Sequence, residues 1–199
     1  MSKSQKIETP GFSIGGFEPL TTIDYPDHLS CVIFTQGCSW NCTYCHNQDL
    51  IPVAKGKIDY ADVLKFIQSR QGLLDSVVFS GGEPLLQNGL IDVMKQVKAL
   101  GFKVGLHSAG IYPKRFAKIL AFVDWVGFDI KHLQDKYAQI TQVSGSGDKA
   151  YQSLRILQKS GVAYQLRMTQ NHLISNQDIE ELEGMLQENI VIQREQQWN

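Results

Sequence analysis

Leu29-Ser30-Cys31-Val32-Ile33-Phe34-Thr35 runs directly into Gln36-Gly37-Cys38-Ser39-Trp40-Asn41-Cys42-Thr43-Tyr44-Cys45-His46-Asn47. The first seven residues form an apolar, β-rich run, read as a strand buried on both faces. It stops just before a loop that carries three cysteines in the spacing C-x3-C-x2-C. Strands of this kind belong to parallel sheets, which bind ligands beyond their carboxyl ends. The stretch therefore predicts an architecture and places a site within it.

Working outward, strand-like runs alternate with helical patterns. Asp59 is placed to cap a helix reaching about Arg70, with Val63, Leu64 and Ile67 on one face. A short strand at 76–80 leads into Gly81-Gly82. A helix over 89–100 is closed by Gly101. A strand at 102–107 follows, and Pro113 opens the next helix. Strands at 125–130 and 163–168, helices at 150–159 and 177–187, and a last strand at 189–193 complete the pattern. These six strands fall short of a closed eight-stranded barrel. The fold class is α/β with parallel strands in a single domain. Residues 1–28 are an N-terminal extension in which 11–24 form a hairpin or flap; 29–193 are the core, and 194–199 a tail.

The candidate site residues converge on one end of this sheet. The cysteine loop follows the first strand and Gly81-Gly82-Glu83 the second. His107-Ser108 end the third, and Asp129-Ile130-Lys131 the fourth. Gly81 and Gly82 let backbone approach a ligand closely. Glu83 sets a carboxylate at the mouth, and Lys131 an ammonium on an otherwise apolar strand end. Arg167, on the fifth strand, needs an anionic partner, either a ligand or an internal aspartate.

The chain has 199 residues, 43% hydrophobic and 20% charged, with formal net charge −1. These are ordinary globular values. The balance gives no reason to expect nucleic-acid binding. No apolar run approaches the roughly 18 residues of a membrane span. Met1–Lys6 is basic without a following apolar segment, so no secretory signal is read and the chain is expected to be cytoplasmic. Its polar ends, including 193–199, are expected to fray.

Four cysteines are present, three of them in the loop. Closely held thiolates suit a soft metal centre, above all an iron–sulfur cluster. A [4Fe–4S] cluster on Cys38, Cys42 and Cys45 keeps one iron open for a ligand, which points to chemistry rather than electron carriage. Zinc is the rival, with Cys31 or His46 as fourth ligand. Disulfides fit poorly in a chain without a signal. Cys31, inside the strand, reads as a buried core thiol.

The cysteine loop with Tyr44 before its last cysteine, followed by Ser80-Gly81-Gly82-Glu83-Pro84, resembles the radical S-adenosylmethionine (SAM) superfamily. Within it, three stretches resemble the activating proteins of anaerobic ribonucleoside-triphosphate reductase. They are Gly16-Phe17-Glu18-Pro19-Leu20-Thr21-Thr22-Ile23-Asp24-Tyr25-Pro26, then Phe34-Thr35-Gln36-Gly37-Cys38, then Cys45-His46-Asn47. The resemblance implies an open (β/α)6 partial TIM-type barrel. It implies that Cys38, Cys42 and Cys45 ligate a [4Fe–4S] cluster. S-adenosyl-L-methionine would then be held by Tyr44 at the adenine, Gly81, Gly82 and Glu83 at the amine, and Lys131 at the carboxylate. Ser108, Asp129 and Arg167 complete the cofactor-binding set, Asp129 serving a ribose or a cation.

Related activases often show Asp-Thr-Asn-Gly where this chain has His107-Ser108-Ala109-Gly110. The change removes an anionic ligand and weakens the case for a monovalent cation there. The implied activity is reductive cleavage of SAM, with flavodoxin or ferredoxin as donor. The resulting 5′-deoxyadenosyl radical takes a hydrogen atom from a glycine of the large reductase subunit. Two rivals are kept: a radical SAM enzyme acting on another glycyl-radical enzyme, a peptide or a small molecule, and a non-catalytic metal-binding or electron-transfer module.

Overall fold

The computed structural model describes residues 11–194. Of the ends expected to fray, 1–6 and 195–199 lie outside the described residues, whereas Gln193 and Arg194 are the last residues of a strand. Seven strands form one sheet in the order of the chain: β1 (Ile14–Thr21), β2 (Ser30–Thr35), β3 (Ser76–Gly81), β4 (Lys103–Ser108), β5 (Trp125–Asp129), β6 (Ala163–Gln170) and β7 (Ile190–Arg194). Strands β2 to β7 are parallel, and β1 runs antiparallel to β2. The sheet is open, with β1 and β7 at its edges.

Six helices lie in the connections: α1 (Tyr60–Ser69), α2 (Leu90–Ala99), α3 (Pro113–Ile119), α4 (Tyr137–Thr141), α5 (Ser146–Gln158) and α6 (Asn176–Leu186). Local chemistry sets their ends. The Asp59 carboxylate accepts from Ala61 N–H at the start of α1. Ser175 and Asp178 form a reciprocal capping box on α6. Gly101, at φ +90°, turns the chain out of α2.

Alternation along the strands divides the interior in two. Cys31 and Ile33 point to the core shared with α1 and α2. Val32, between them, points to the other face, where it packs with Tyr25, Val78 and Trp125. Tyr25 stacks on Trp125 at 5.1 Å. The chain between β1 and β2 thus folds into the opposite face of the sheet.

Several boundaries differ from the sequence reading. The 11–24 segment, expected as a hairpin or flap, contributes β1 as an edge strand of the main sheet. Helix α5 begins at Ser146 rather than Ala150. Helix α4 has no counterpart in the helical patterns read from the sequence.

Candidate active site at the carboxyl ends of the strands

A cavity of about 230 Å³ opens at the carboxyl ends of the parallel strands. Cys38, Cys42 and Cys45 line one wall, with Trp40, Tyr44, His46 and Asn47 around them. Gly81, Gly82, Glu83, Ser108, Asp129 and Lys131 are also part of the lining. Of the residues expected from sequence to hold the cluster or the cofactor, only Arg167 is missing from the wall.

Backbone bonds hold the cysteine loop against its neighbours. Gly37 N–H donates to Leu50 O (2.8 Å) and Cys38 N–H to Ile51 O (3.0 Å). Glu83 N–H donates to Gly37 O (2.9 Å), tying the end of β3 to the loop. The two glycines permit this approach. A Cβ on Gly81, which has φ +112°, would stand 2.3 Å from Thr35 N, and one on Gly82 2.3 Å from Gly37 O.

Glu83 is almost wholly buried. Its Oε1 accepts from Ser108 Oγ–H (2.8 Å) and Leu85 N–H (3.1 Å), and its Oε2 from Ala109 N–H (3.3 Å). Burial nevertheless raises its pKa to about 7. Burial also pushes the Cys38 thiol up to about 12 and raises Cys42. Burial opposes the Lys131 charge, yet the surrounding Tyr44, Cys42 and Asp129 hold its pKa above the usual lysine value. Its Nζ lies 5.3 Å from the Tyr44 ring centroid, a cation–π contact.

Arg167 stands behind this wall. Its guanidinium binds the Asp129 carboxylate and reaches His107 Nε2 at 3.1 Å. The anion it required is therefore internal. Burial would raise the Asp129 pKa, but Arg167 and Lys131 prevail and lower it. His107 Nε2 also lies 2.7 Å from Asp24 O. Burial and the Arg167 charge lower its pKa and hold it neutral. His107 thereby joins the segment before β2 to the cavity wall.

Sequence reasoning passed over Thr169, Gln193 and Ile111, which also line the cavity. Thr169 was within reach, since it lies two residues beyond Arg167 and shares its face of β6. Cys31 is fully buried in the helix-side core and takes no part in the cavity. Among the described residues, no three His, Cys, Asp or Glu side chains form a group able to hold a single metal ion. None of the described helices is long and apolar enough to cross a membrane.

The profile of the radical SAM superfamily matches residues 32–188. The chain belongs to that superfamily. Among curated relatives of this radical SAM protein, a Methanocaldococcus jannaschii protein provisionally named as a glycyl-radical enzyme activating enzyme is 29% identical. That match covers 85% of this chain and 73% of the relative. The pyruvate formate-lyase-activating enzyme of Clostridium pasteurianum is 35% identical, over 77% of this chain and 66% of its own length. Matches to the staphylococcal pyruvate formate-lyase-activating enzymes span 55% of those proteins. The radical SAM protein also shares its fold with Streptococcus suis SuiB bound to S-adenosylmethionine. There the TM-score is 0.68 at 16% identity, over 84% of this chain and 41% of SuiB. A second solved structure, anSMEcpe with bound AdoMet, gives a TM-score of 0.65 at 14% identity, over 81% and 49% of the two chains.

Proposed function

We propose that this protein is a glycyl-radical activase whose cavity holds a [4Fe–4S] cluster and S-adenosylmethionine side by side. One observation carries the reading: three thiols and a set of opposed charges, Glu83, Asp129 and Lys131, line the same cavity.

The donor set fits both groups. Three cysteine sulfurs lining one cavity are soft ligands of the kind that hold an iron–sulfur cluster. The methionine end of SAM is a zwitterion; Lys131 answers its carboxylate and Glu83 its ammonium. Asp129, held ionised by Arg167, offers an acceptor for ribose hydroxyls. Tyr44 presents an aromatic face beside Lys131 for the adenine.

When bound, the reduced cluster supplies the one-electron cleavage of SAM that yields methionine and a 5′-deoxyadenosyl radical. The protein's part is orientation and exclusion of water. Trp40, 2% exposed, and Tyr44, 8% exposed, shield the cysteine wall from solvent. The open sheet leaves room for a polypeptide to bring its glycine to the cavity.

The large subunit of anaerobic ribonucleotide reductase is the proposed partner, on the resemblance carried by 16–26, 34–38 and 45–47. Flavodoxin or ferredoxin is the proposed electron donor. The likeness to pyruvate formate-lyase-activating enzymes supports a second reading, with another glycyl-radical enzyme as target.

The test is anaerobic EPR on protein reconstituted with iron and sulfide, reduced, and mixed with SAM and each candidate partner in turn. A glycyl-radical doublet with the reductase subunit, dependent on SAM and all three loop cysteines, is expected. A doublet only with another glycyl-radical enzyme reassigns the partner. Absence of both cluster and SAM cleavage sinks the reading.

A further inference from the structure

We infer that Tyr137 is a positioning residue that locks Lys131 and the cysteine loop into one fixed relation. The inference rests on the proposed roles of Lys131 and the loop, and extends to a residue that lines no part of the cavity.

Tyr137 is the first residue of α4 and is completely buried. Its hydroxyl accepts the backbone N–H of Lys131 at 3.0 Å. Its ring stands edge-on to Trp40 of the cysteine loop, with centroids 5.8 Å apart and planes at 69°. The same ring packs edge-on against Tyr151 of α5 at 6.1 Å. One side chain thus touches the segment just beyond β5, the cysteine loop and a long helix.

The rest of α4 reinforces the link. The last carbonyls of a helix have no partner within it and must find one outside. Here Ile140 O accepts from Thr43 N–H (2.9 Å) and Thr141 O from Asn41 N–H (3.2 Å). The cysteine loop therefore completes the hydrogen bonding of α4. Thr141 Oγ in turn lies 2.7 Å from Ser146 Oγ, fastening α4 to the start of α5. Lys131 closes the circuit through its ammonium over Tyr44. The distance between the cysteine wall and the cation opposite is thereby set by α4 rather than by either element alone.

A ring that only filled space would serve equally well without its hydroxyl. Tyr137→Phe keeps both edge contacts and removes only the acceptor for Lys131 N–H. In the reconstituted protein, iron content is expected to match the wild type. Binding of SAM, measured by equilibrium dialysis, is expected to weaken about tenfold, the scale of one lost hydrogen bond. Binding of decarboxylated SAM, which lacks the group Lys131 would meet, is expected to stay unchanged. Equal weakening of both ligands, or of neither, overturns the inference.

Tyr137→Leu also removes the contact with Trp40 and is expected to lower iron per chain. Full iron retention overturns the loop-anchoring half. A wild-type protein that binds SAM and its decarboxylated form equally well defeats the Lys131–carboxylate reading itself. That failure is visible in the wild type alone, without any variant.

Discussion

Nε and Nη2 of Arg167 both donate to the same carboxylate oxygen of Asp129, Oδ1, at 3.1 and 2.8 Å. Among the described residues, Oδ2 accepts no hydrogen bond. The pair spans β5 and β6, where Asp129 and Arg167 are in register. Space for the guanidinium comes from Gly127, where a Cβ would lie 2.6 Å from Arg167 Cζ. The arginine is buried, and the aspartate is partly open to the cavity. A cation behind the wall thus keeps an anion on it.

Arg167→Ala is expected to cost about 2 kcal/mol at pH 7, the range for a charged hydrogen-bonded pair not fully shut off from water. The depressed Asp129 pKa means its contribution is present above the unfolded value near 4 and is lost as pH falls through the folded one. The gap between wild type and variant in urea unfolding should therefore narrow below about pH 4. Equal stability at pH 7 would show that the pair contributes nothing.

Much of this arrangement is legible in the sequence. The parallel strands announce themselves as continuous apolar runs, and Asp59, Gly101 and Pro113 mark helix ends by their own chemistry. Once the strand ends are placed, the cavity wall follows, because ligands gather there in parallel α/β folds. What escapes depends on distant partners. Strand β1 contains Gly15, Gly16 and Pro19, poor strand formers, and exists through its pairing with β2. Ser144-Gly145-Ser146-Gly147 reads as a loop, yet α5 starts inside it. Helix α4 has five residues, too few for a periodic signal. Whether Arg167 meets a ligand or Asp129 is a question of tertiary register.

Glu83 should make both stability and ligand binding depend on pH. Its pKa is raised from an ordinary 4.5 to about 7 by burial. A raised carboxyl contributes stability that is full below the unfolded pKa and is lost as pH rises through the folded one. Relative to Glu83→Gln, the wild type should lose roughly 3 kcal/mol of unfolding free energy between pH 4.5 and 7. SAM affinity should run the other way, rising with pH through about 7 in the wild type and staying flat in Glu83→Gln. Parallel pH profiles for the two proteins would remove Glu83 from both roles.

Gly82→Ala tests how closely the end of β3 must approach the cysteine loop. The added Cβ would stand 2.3 Å from Gly37 O and 2.9 Å from Leu50 O, both backbone atoms. Backbone has little freedom to give way, so the loop must shift. Iron per chain after reconstitution should fall at least severalfold, while far-ultraviolet circular dichroism stays that of the folded wild type. Full iron retention would mean that the loop tolerates displacement and that the close approach serves another purpose.

Cys31 separates three-thiolate from four-thiolate ligation. Its side chain is fully buried among apolar neighbours on the helix side of β2, and burial pushes its thiol up to about 12. Such a thiol is a packing group, not a ligand. Cys31→Ser is expected to destabilise the fold by about 1–3 kcal/mol, because a hydroxyl replaces sulfur in an apolar site. Iron and sulfide content should nonetheless remain those of the wild type. Cys42→Ser should do the opposite, sparing most of the stability and abolishing the cluster absorbance. If Cys31→Ser lost the cluster while remaining folded, all four cysteines would be ligands. No iron would then be left open, and an electron-transfer module would replace the activase.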